Sequence, residues 1–315
     1  MSAAAQGGWF ARAGDALERP RVLGTVMLAP AVLYIVAFVA VPFCIAIALS
    51  FSDATVGDPT ISSFVGLENF RAVMQQEAFM SALRNSIIVT VATVVGIVVL
   101  ATIAVEILAR EFPGRRLVQV LFMLPWAMPV ALAAITWLWL LDSQFSPIDW
   151  LLVQLGLLGP GTPLGPAKHL YYLGREWLGL GSVVFVDIWR TLPLATIIVL
   201  AGRLSIPRER LEQAQIDGAG FFRVLLRIII PALAPVLIVA ILFTALLVIG
   251  EMSTVALLTR GGPGHSGQIL PYWAYLKGIE SGDLAQGAAV SLFLFPVLAA
   301  AAIVALRFAA RLHRD

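Results

Sequence analysis

Residues 232–259 read ALAPVLIVAILFTALLVIGEMSTVALLT, 28 residues with one charge, Glu251. About 20 apolar residues suffice to cross a bilayer as a helix. In hydrocarbon no water satisfies the backbone amides and carbonyls, so a run of this kind must satisfy them internally. It reads as a transmembrane helix. Five further runs read the same way: 22–50, 85–109, 117–141, 182–204 and 284–306. Pro30, Pro42, Pro129, Pro193, Pro235 and Pro296 interrupt five of the six, and membrane helices accommodate such prolines as kinks. The expected fold is an all-α membrane protein of six transmembrane helices over 22–308, with a segment 1–21 before them and a tail 309–315 after.

The composition agrees. AVILMFWYC residues make up 60% of the 315, charged residues 13%, and the mean hydropathy is +0.92. A soluble domain carries about 25% charge, so this chain has too little to cover a water-facing surface. A soluble enzyme, a disordered chain and a collagen-like chain are all excluded. The first run has Arg19 and Arg21 in front and Ala46-x-Ala48 behind, as a secretory signal would. A signal's apolar stretch is about 7–15 residues. This one is nearly twice that and reads as an uncleaved span.

Arginine placement orients the bundle. The N-terminus (Arg12, Arg19, Arg21), the connection after the second run (Arg110, Arg115, Arg116), the connection after the fourth (Arg203, Arg208, Arg210, Arg223, Arg227) and the C-terminus (Arg307, Arg311, Arg314) hold fourteen basic residues. The other connections hold six: Arg71, Arg84, Lys168, Arg175, Arg260 and Lys277. The positive-inside bias places both termini and the 205–231 connection in the cytoplasm. The long outer connections are 51–84, 142–181 and 260–283; the second is rich in Gly and Pro and bounded by Trp150 and Trp177, which suit a membrane interface.

The connection 205–231, SIPRERLEQAQIDGAGFFRVLLRIIIP, is long for a helix-to-helix link. Ser205 is placed to cap a helix with Pro207 in its first turn. Leu211, Ala214 and Gln215 then share a face of a short helix ending near Ile216, and Asp217-Gly218 signals a turn. A second stretch runs from about Gly220 through Phe222, Leu225, Leu226 and Ile229 to Pro231, which ends it or bends it into the next span. A basic amphipathic helix–turn–helix is expected to project into the cytoplasm, either as a solvated link or as a docking element.

Three ionisable residues lie inside spans: Asp187, Arg190 and Glu251. Each costs roughly 2.5–3.5 kcal/mol at a helix centre on insertion scales, which makes function the default reading. Asp187 and Arg190 are three apart on one helical face and can pair. Glu251 has no partner in its own segment and is expected to face a polar interior. Glu106, near the end of the second span, reads as interfacial.

The residues of the 205–231 connection resemble a signature of the membrane subunits of bacterial binding-protein-dependent ABC importers: EAA, three residues, G, nine residues, I, one residue, L-P. Glu212, Gln213 and Ala214 stand in the EAA places and Gly218 in the glycine place, with Asp217 before it. Ile228, Ile230 and Pro231 close the motif. Other pieces resemble the carbohydrate branch, permeases similar to the larger maltose-importer subunit and to glycerol-phosphate permeases. They are Phe64-Val-Gly-Leu-Glu-Asn-Phe70, Trp189-Arg-Thr-Leu-Pro193, Leu258-Thr-Arg-Gly-Gly-Pro263 and Gly287-Ala-Ala289. Arg260 departs from the branch, which has glycine there. An acidic residue common two places after Glu251 is here Ser253.

The resemblance implies a type I ABC importer permease fold in the bacterial inner membrane, with a cytoplasmic coupling helix. It implies two ATPase subunits, one docked at Glu212, Gln213, Ala214, Asp217, Gly218, Ile228 and Pro231. A second, non-identical permease and an extracytoplasmic solute-binding protein complete the set, with ATP and Mg on the ATPase. It further implies import of a sugar or polyol. On the residues themselves, Asp187, Arg190 and Glu251 either line a polar pathway for sugar hydroxyls or, for Asp187 and Arg190, form a structural ion pair or let the arginine snorkel to the outer headgroups, and Trp189, Trp126, Trp137 and Trp139 either stack on sugar rings or pack the bundle. The chain carries no G-x-x-x-x-G-K-[ST], so a P-loop must be borrowed. No catalytic, cofactor or metal residue is expected, for Cys44 is the only cysteine and His169, His265 and His313 are scattered. No nucleic-acid partner is expected either. The competing class is an ion-coupled secondary carrier using Asp187 or Glu251, which leaves the helix–turn–helix without a task. A membrane-embedded enzyme would need a nucleophile or metal ligands converging at one depth.

Overall fold

A computed structural model describes residues 20–300 together with Ile303 and Arg307. Most of segment 1–21 and the whole of the tail 309–315 lie outside the described residues, as do most positions of the last expected span beyond 300. Among the described residues there is no strand, only an isolated bridge between Ser52 and Phe64. Helix α1 spans Leu23–Ser50. A short α2 (Glu68–Met74) precedes the long α3 (Glu77–Leu108). Next come α4 (Arg115–Ala127), α5 (Val130–Leu140) and α6 (Pro147–Gln154). Helix α7 is Glu176–Leu204, α8 is Arg208–Ile216 and α9 is Phe221–Ile249. The chain ends with α10 (Ser253–Leu258), α11 (Leu270–Tyr275) and α12 (Leu284–Ala300).

Four helices are individually long and apolar enough to cross a membrane: α1, α3, α7 and α9. The expected third span, 117–141, is instead two helices bent by 96°. Pro129 causes this. Its ring disfavours helical backbone at the preceding residue, and Met128 is extended at φ −75°, ψ 132°. The expected fifth span also differs. Helix α9 starts eleven residues before 232 and stops at Ile249, and Gly250 separates it from α10. At its start a wider turn over Leu225–Ile229 carries the helix through Pro231, which neither ends nor breaks it. Helix α12 is the short apolar member.

The centre of the bundle is α3 laid along α7 and α9. Apolar transfer does not drive helices together in lipid, so close van der Waals contact between small side chains must. Ala82, Ala101, Ala133, Ala134, Ala195, Ala240, Ala285 and Ala289 are all buried. The closest approach is at Gly287 of α12, where a Cβ would collide with the Gly278 backbone after α11. By contrast, the 18-residue apolar window of α1 has no buried residue. Its end is held by the Phe43–Phe295 contact and by Asn69, whose Nδ2 donates to the Ser50 and Ser52 carbonyls at 3.0 and 2.8 Å. Those carbonyls lie at the helix end and have no intrahelical donor, which gives the Phe64–Phe70 motif its physical task.

At the same end of the bundle Asn85 of α3 is buried. It donates to the carbonyls of Ser266 (2.5 Å) and Gln268 (3.0 Å), while Ser86 Oγ accepts from the Leu270 amide at 2.8 Å. The loop they pin contains Arg260, whose φ of 51° explains why glycine suits that place. The Gly/Pro-rich connection holds α6, capped by Ser146, whose Oγ accepts from the Asp149 amide at 3.2 Å. Buried Asp149 receives the Leu170 amide, and burial together with this carboxylate pushes the Tyr172 hydroxyl above its ordinary range.

Candidate functional site

Two groups of residues stand out, one at the arginine-rich end and one inside the bundle. At the arginine-rich end α8 is a rigid nine-residue helix, with its start and stop set locally. Ser205 does not cap it. Ser205 stays helical (φ −82°, ψ −10°) and its hydroxyl donates to the Gly202 carbonyl at 2.7 Å, closing α7 instead. The cap residue is Pro207, extended at ψ 134°. At the other end Gly218 has φ +74° with open space around it. The left-handed backbone, not crowding, calls for glycine there. The Asp217 and Gly218 amides close the turn onto the Gln213 and Gln215 carbonyls.

One face of α8 is seated. Ala214 is 7% exposed, and Leu211 packs on a cluster of Val105, Val199, Ile229 and Leu233 from α3, α7 and α9, with Ile206 from the link before α8. Gln215, expected on that face, is exposed. The opposite face is bare: Glu212, Gln213 and Asp217 are exposed, and Ile216 is 85% exposed. Ile228 is half-buried and Pro231 exposed at the root of α9. Beneath the helix lies a cavity of 660 Å³ bounded by Glu106, Arg203, Arg208 and Glu212. Glu106 is more than interfacial. Arg203 Nε donates to it at 2.7 Å with both side chains mostly buried, and Arg208 pairs with Glu111 at 3.3 Å on the surface. Both residues of the first pair end neighbouring spans, and equal depth was the signal that would have matched them.

Inside the bundle the expected Asp187–Arg190 pair is not made. Arg190 Nη2 instead meets Glu251 Oε2 at 3.6 Å, and the Thr254 hydroxyl donates to Asp187 Oδ1 at 2.8 Å. The break at Gly250 is the reason. Helix α9 stops at Ile249, and α10, which carries Thr254, packs against α7, with Glu251 in the link between α9 and α10. Glu251 also accepts the Ser253 amide at 2.7 Å, so it has a partner in its own segment after all. Asp187 and Arg190 are buried, and the Arg190 guanidinium lies 5.9 Å from the ring centroid of Trp126. Trp189, half-buried, meets Trp137 edge-on at 5.5 Å, whereas Trp139 is 66% exposed. The sequence left Thr254 unassigned and offered Trp126 only as a surface for sugar rings, not as a neighbour of Arg190, because their places depend on the two chain breaks.

Comparison with known proteins identifies the architecture. The profile of the family described as binding-protein-dependent transport system inner membrane component matches residues 103–314. A probable ABC transporter permease protein of Brucella suis is 30% identical over 243 residues, 77% of this chain and 81% of that protein. The trehalose/maltose transport system permease protein MalF of Thermococcus litoralis is 28% identical over 297 residues, covering 94% and 96% of the two chains. A bacterial alginate ABC transporter, solved in complex with its alginate pentasaccharide-bound periplasmic protein, has a chain of the same fold. Its TM-score is 0.75 at 19% identity, over 95% of this chain and 97% of that one.

Proposed function

This chain belongs to the binding-protein-dependent transport system inner membrane component family, and from that premise we propose how it works as the permease subunit of an ATP-driven sugar importer. It crosses the bacterial inner membrane six times, the bent pair α4–α5 and the short α12 completing the four long helices. Both termini and α8 face the cytoplasm. Two ATPase subunits, carrying ATP and Mg, sit below, one of them receiving α8. A second, non-identical permease completes the pathway, and an extracytoplasmic binding protein delivers a sugar or polyol.

The observation that carries this reading is the two-faced seating of α8. Its inner face is buried against α3, α7 and α9, while Gln213 and Ile216 stand exposed on its outer face and Glu212 is exposed at the edge of the cavity beside it. A helix held this way passes a push on its outer face to three spans at once. Glu212 supplies a charged anchor for a partner arginine or backbone amides. Inside the membrane, Asp187, Arg190, Glu251 and Trp189 line the route, and the permease alternates between outward- and inward-open states.

The test is gentle purification of the tagged chain from its own membranes, with mass spectrometry of its companions and sugar-stimulated ATP hydrolysis of the complex. Glu212→Lys with Ile216→Glu alters only the bare face and is expected to lose the ATPase subunit. Gly218→Pro imposes φ near −65° where +74° is needed, and is expected to abolish coupling with insertion intact. A wild-type chain that comes out alone, with uptake that needs an ion gradient and no ATP, would overturn the reading.

A further inference from the structure

Beside α8, the last turns of α3 and the first turns of α9 enclose an open groove of 430 Å³. Its walls are apolar: Ile103 and Ile107 of α3 are 54% and 55% exposed, and Phe221, Phe222 and Leu225 face them from α9. Its rim is cationic. Arg110 closes the arginine-rich end with its guanidinium 5.9 Å from the Phe221 ring centroid, and it has no carboxylate partner among the described residues. An adjoining groove brings Arg115 and Arg116 alongside Phe112. The Arg115 Nε is shielded from water and accepted by nothing among the described residues.

The local charge does not balance. Among the described residues Glu106 and Glu111 line the groove and are already engaged by Arg203 and Arg208, while Glu212 lies on the α8 side, across the neighbouring cavity, and forms no ion pair with Arg110. Arg110 remains on the rim of the trough of exposed isoleucine and phenylalanine, and Arg115 and Arg116 remain in the adjoining groove, which shares Glu111 and Phe112 with it. This stands where membrane helices end, at the depth of the headgroups. A water-soluble anion would use the rim and leave the trough wet, and an apolar chain would use the trough and leave the rim unpaired. One molecule satisfies both.

We propose that the groove binds an anionic phospholipid, its phosphate held by Arg110 and Arg115 and an acyl chain laid along Ile103 and Ile107. The site would make the mobility of the α3–α9 joint, and so of α8, responsive to the lipid of that leaflet. The assignment stands on this groove alone, independent of what is transported.

The experiment is native mass spectrometry of the intact purified complex, delipidated and then titrated with phosphatidylglycerol, with phosphatidylcholine and with inorganic phosphate. Phosphatidylglycerol is expected to bind saturably and phosphatidylcholine not to. A basic side chain near the surface contributes about a five-fold gain in affinity for anionic lipid, equivalent to about 1 kcal/mol. Arg110→Gln with Arg115→Gln is therefore expected to weaken binding about 25-fold, while Arg71→Gln, an exposed arginine outside the groove, changes nothing. Equal binding of the two lipids, or an unaffected double variant, would overturn the assignment. So would competition by millimolar inorganic phosphate, which would reduce the site to a free-anion site. A photoreactive residue at Ile107, in vesicles of phosphatidylglycerol and phosphatidylcholine, is expected to capture lipid. Capture of a partner subunit there instead would make the groove a protein interface and also overturn it.

Discussion

Arg190 and Glu251 are the residues on which the interior depends. Removing one member of a mostly buried pair leaves an uncompensated charge and costs about 3–5 kcal/mol, whereas replacing both with apolar groups of similar volume is often neutral. Arg190→Met and Glu251→Leu are therefore each expected to lower the thermal midpoint of the purified complex sharply. The double variant is expected to recover most of the loss, as contacting residues in a double-mutant cycle do. If stability recovers but transport does not, the pair belongs to the route. Recovery of both would make it structural, and additive losses would mean the two side chains do not depend on one another. The sequence marked all three ionisable residues correctly as exceptional, since their cost in hydrocarbon is a property of residue type and depth. It mispaired them, because the helical face shared by Asp187 and Arg190 says nothing of what lies opposite.

Among the elements, α8 and the α11–α12 contact show how much of a helix is written locally. The end of α8 at Ile216 was legible from Asp217-Gly218, because turn chemistry is short-range, while its start fell two residues beyond the expected one, with Pro207 as the cap. The role of Ser205 was not legible. Whether a serine caps the next helix or closes the last one depends on where α7 stops, and that is set by packing. The α11–α12 contact is tertiary throughout. Gly287→Ala drives a methyl into the Gly278 backbone, and overpacking of this kind costs typically 1–3 kcal/mol. The expected result is a lower unfolding midpoint by that equivalent, while Gly278→Ala, whose Cβ would meet its neighbour at 3.4 Å, costs less. Equal effects would show that α12 shifts freely to make room. The 96° break at Pro129 was visible as a proline but not as a corner, since a kink and a break share the same local signal.

At the scale of the whole molecule, the arginine distribution sets a direction that can be measured. In a Cys44→Ser background, Asp58→Cys and Asp217→Cys both lie on exposed positions, in the connection after α1 and at the tip of the 205–231 connection. A membrane-impermeant maleimide added to intact cells is expected to label the first and not the second. The reverse pattern would invert the topology. The bareness of α1 is also a whole-molecule property. It leaves Met27, Leu33 and Phe38 about two-thirds exposed or more, a surface that only lipid or another subunit can cover.

That the chain is helical, belongs in a membrane and presents a short helix from its arginine-rich end could be read from residue order alone. Each of those follows from local composition, because hydrocarbon forbids unsatisfied backbone and permits few alternatives. Packing alone brings Glu251 to Arg190, Thr254 to Asp187 and Arg203 to Glu106, and sets Arg110, without a carboxylate partner among the described residues, on the rim of an apolar groove beside α8. Depth along a span can be read from position in the chain. The direction in which a side chain looks across the bundle depends on where neighbouring helices bend and stop, and those bends are settled by packing.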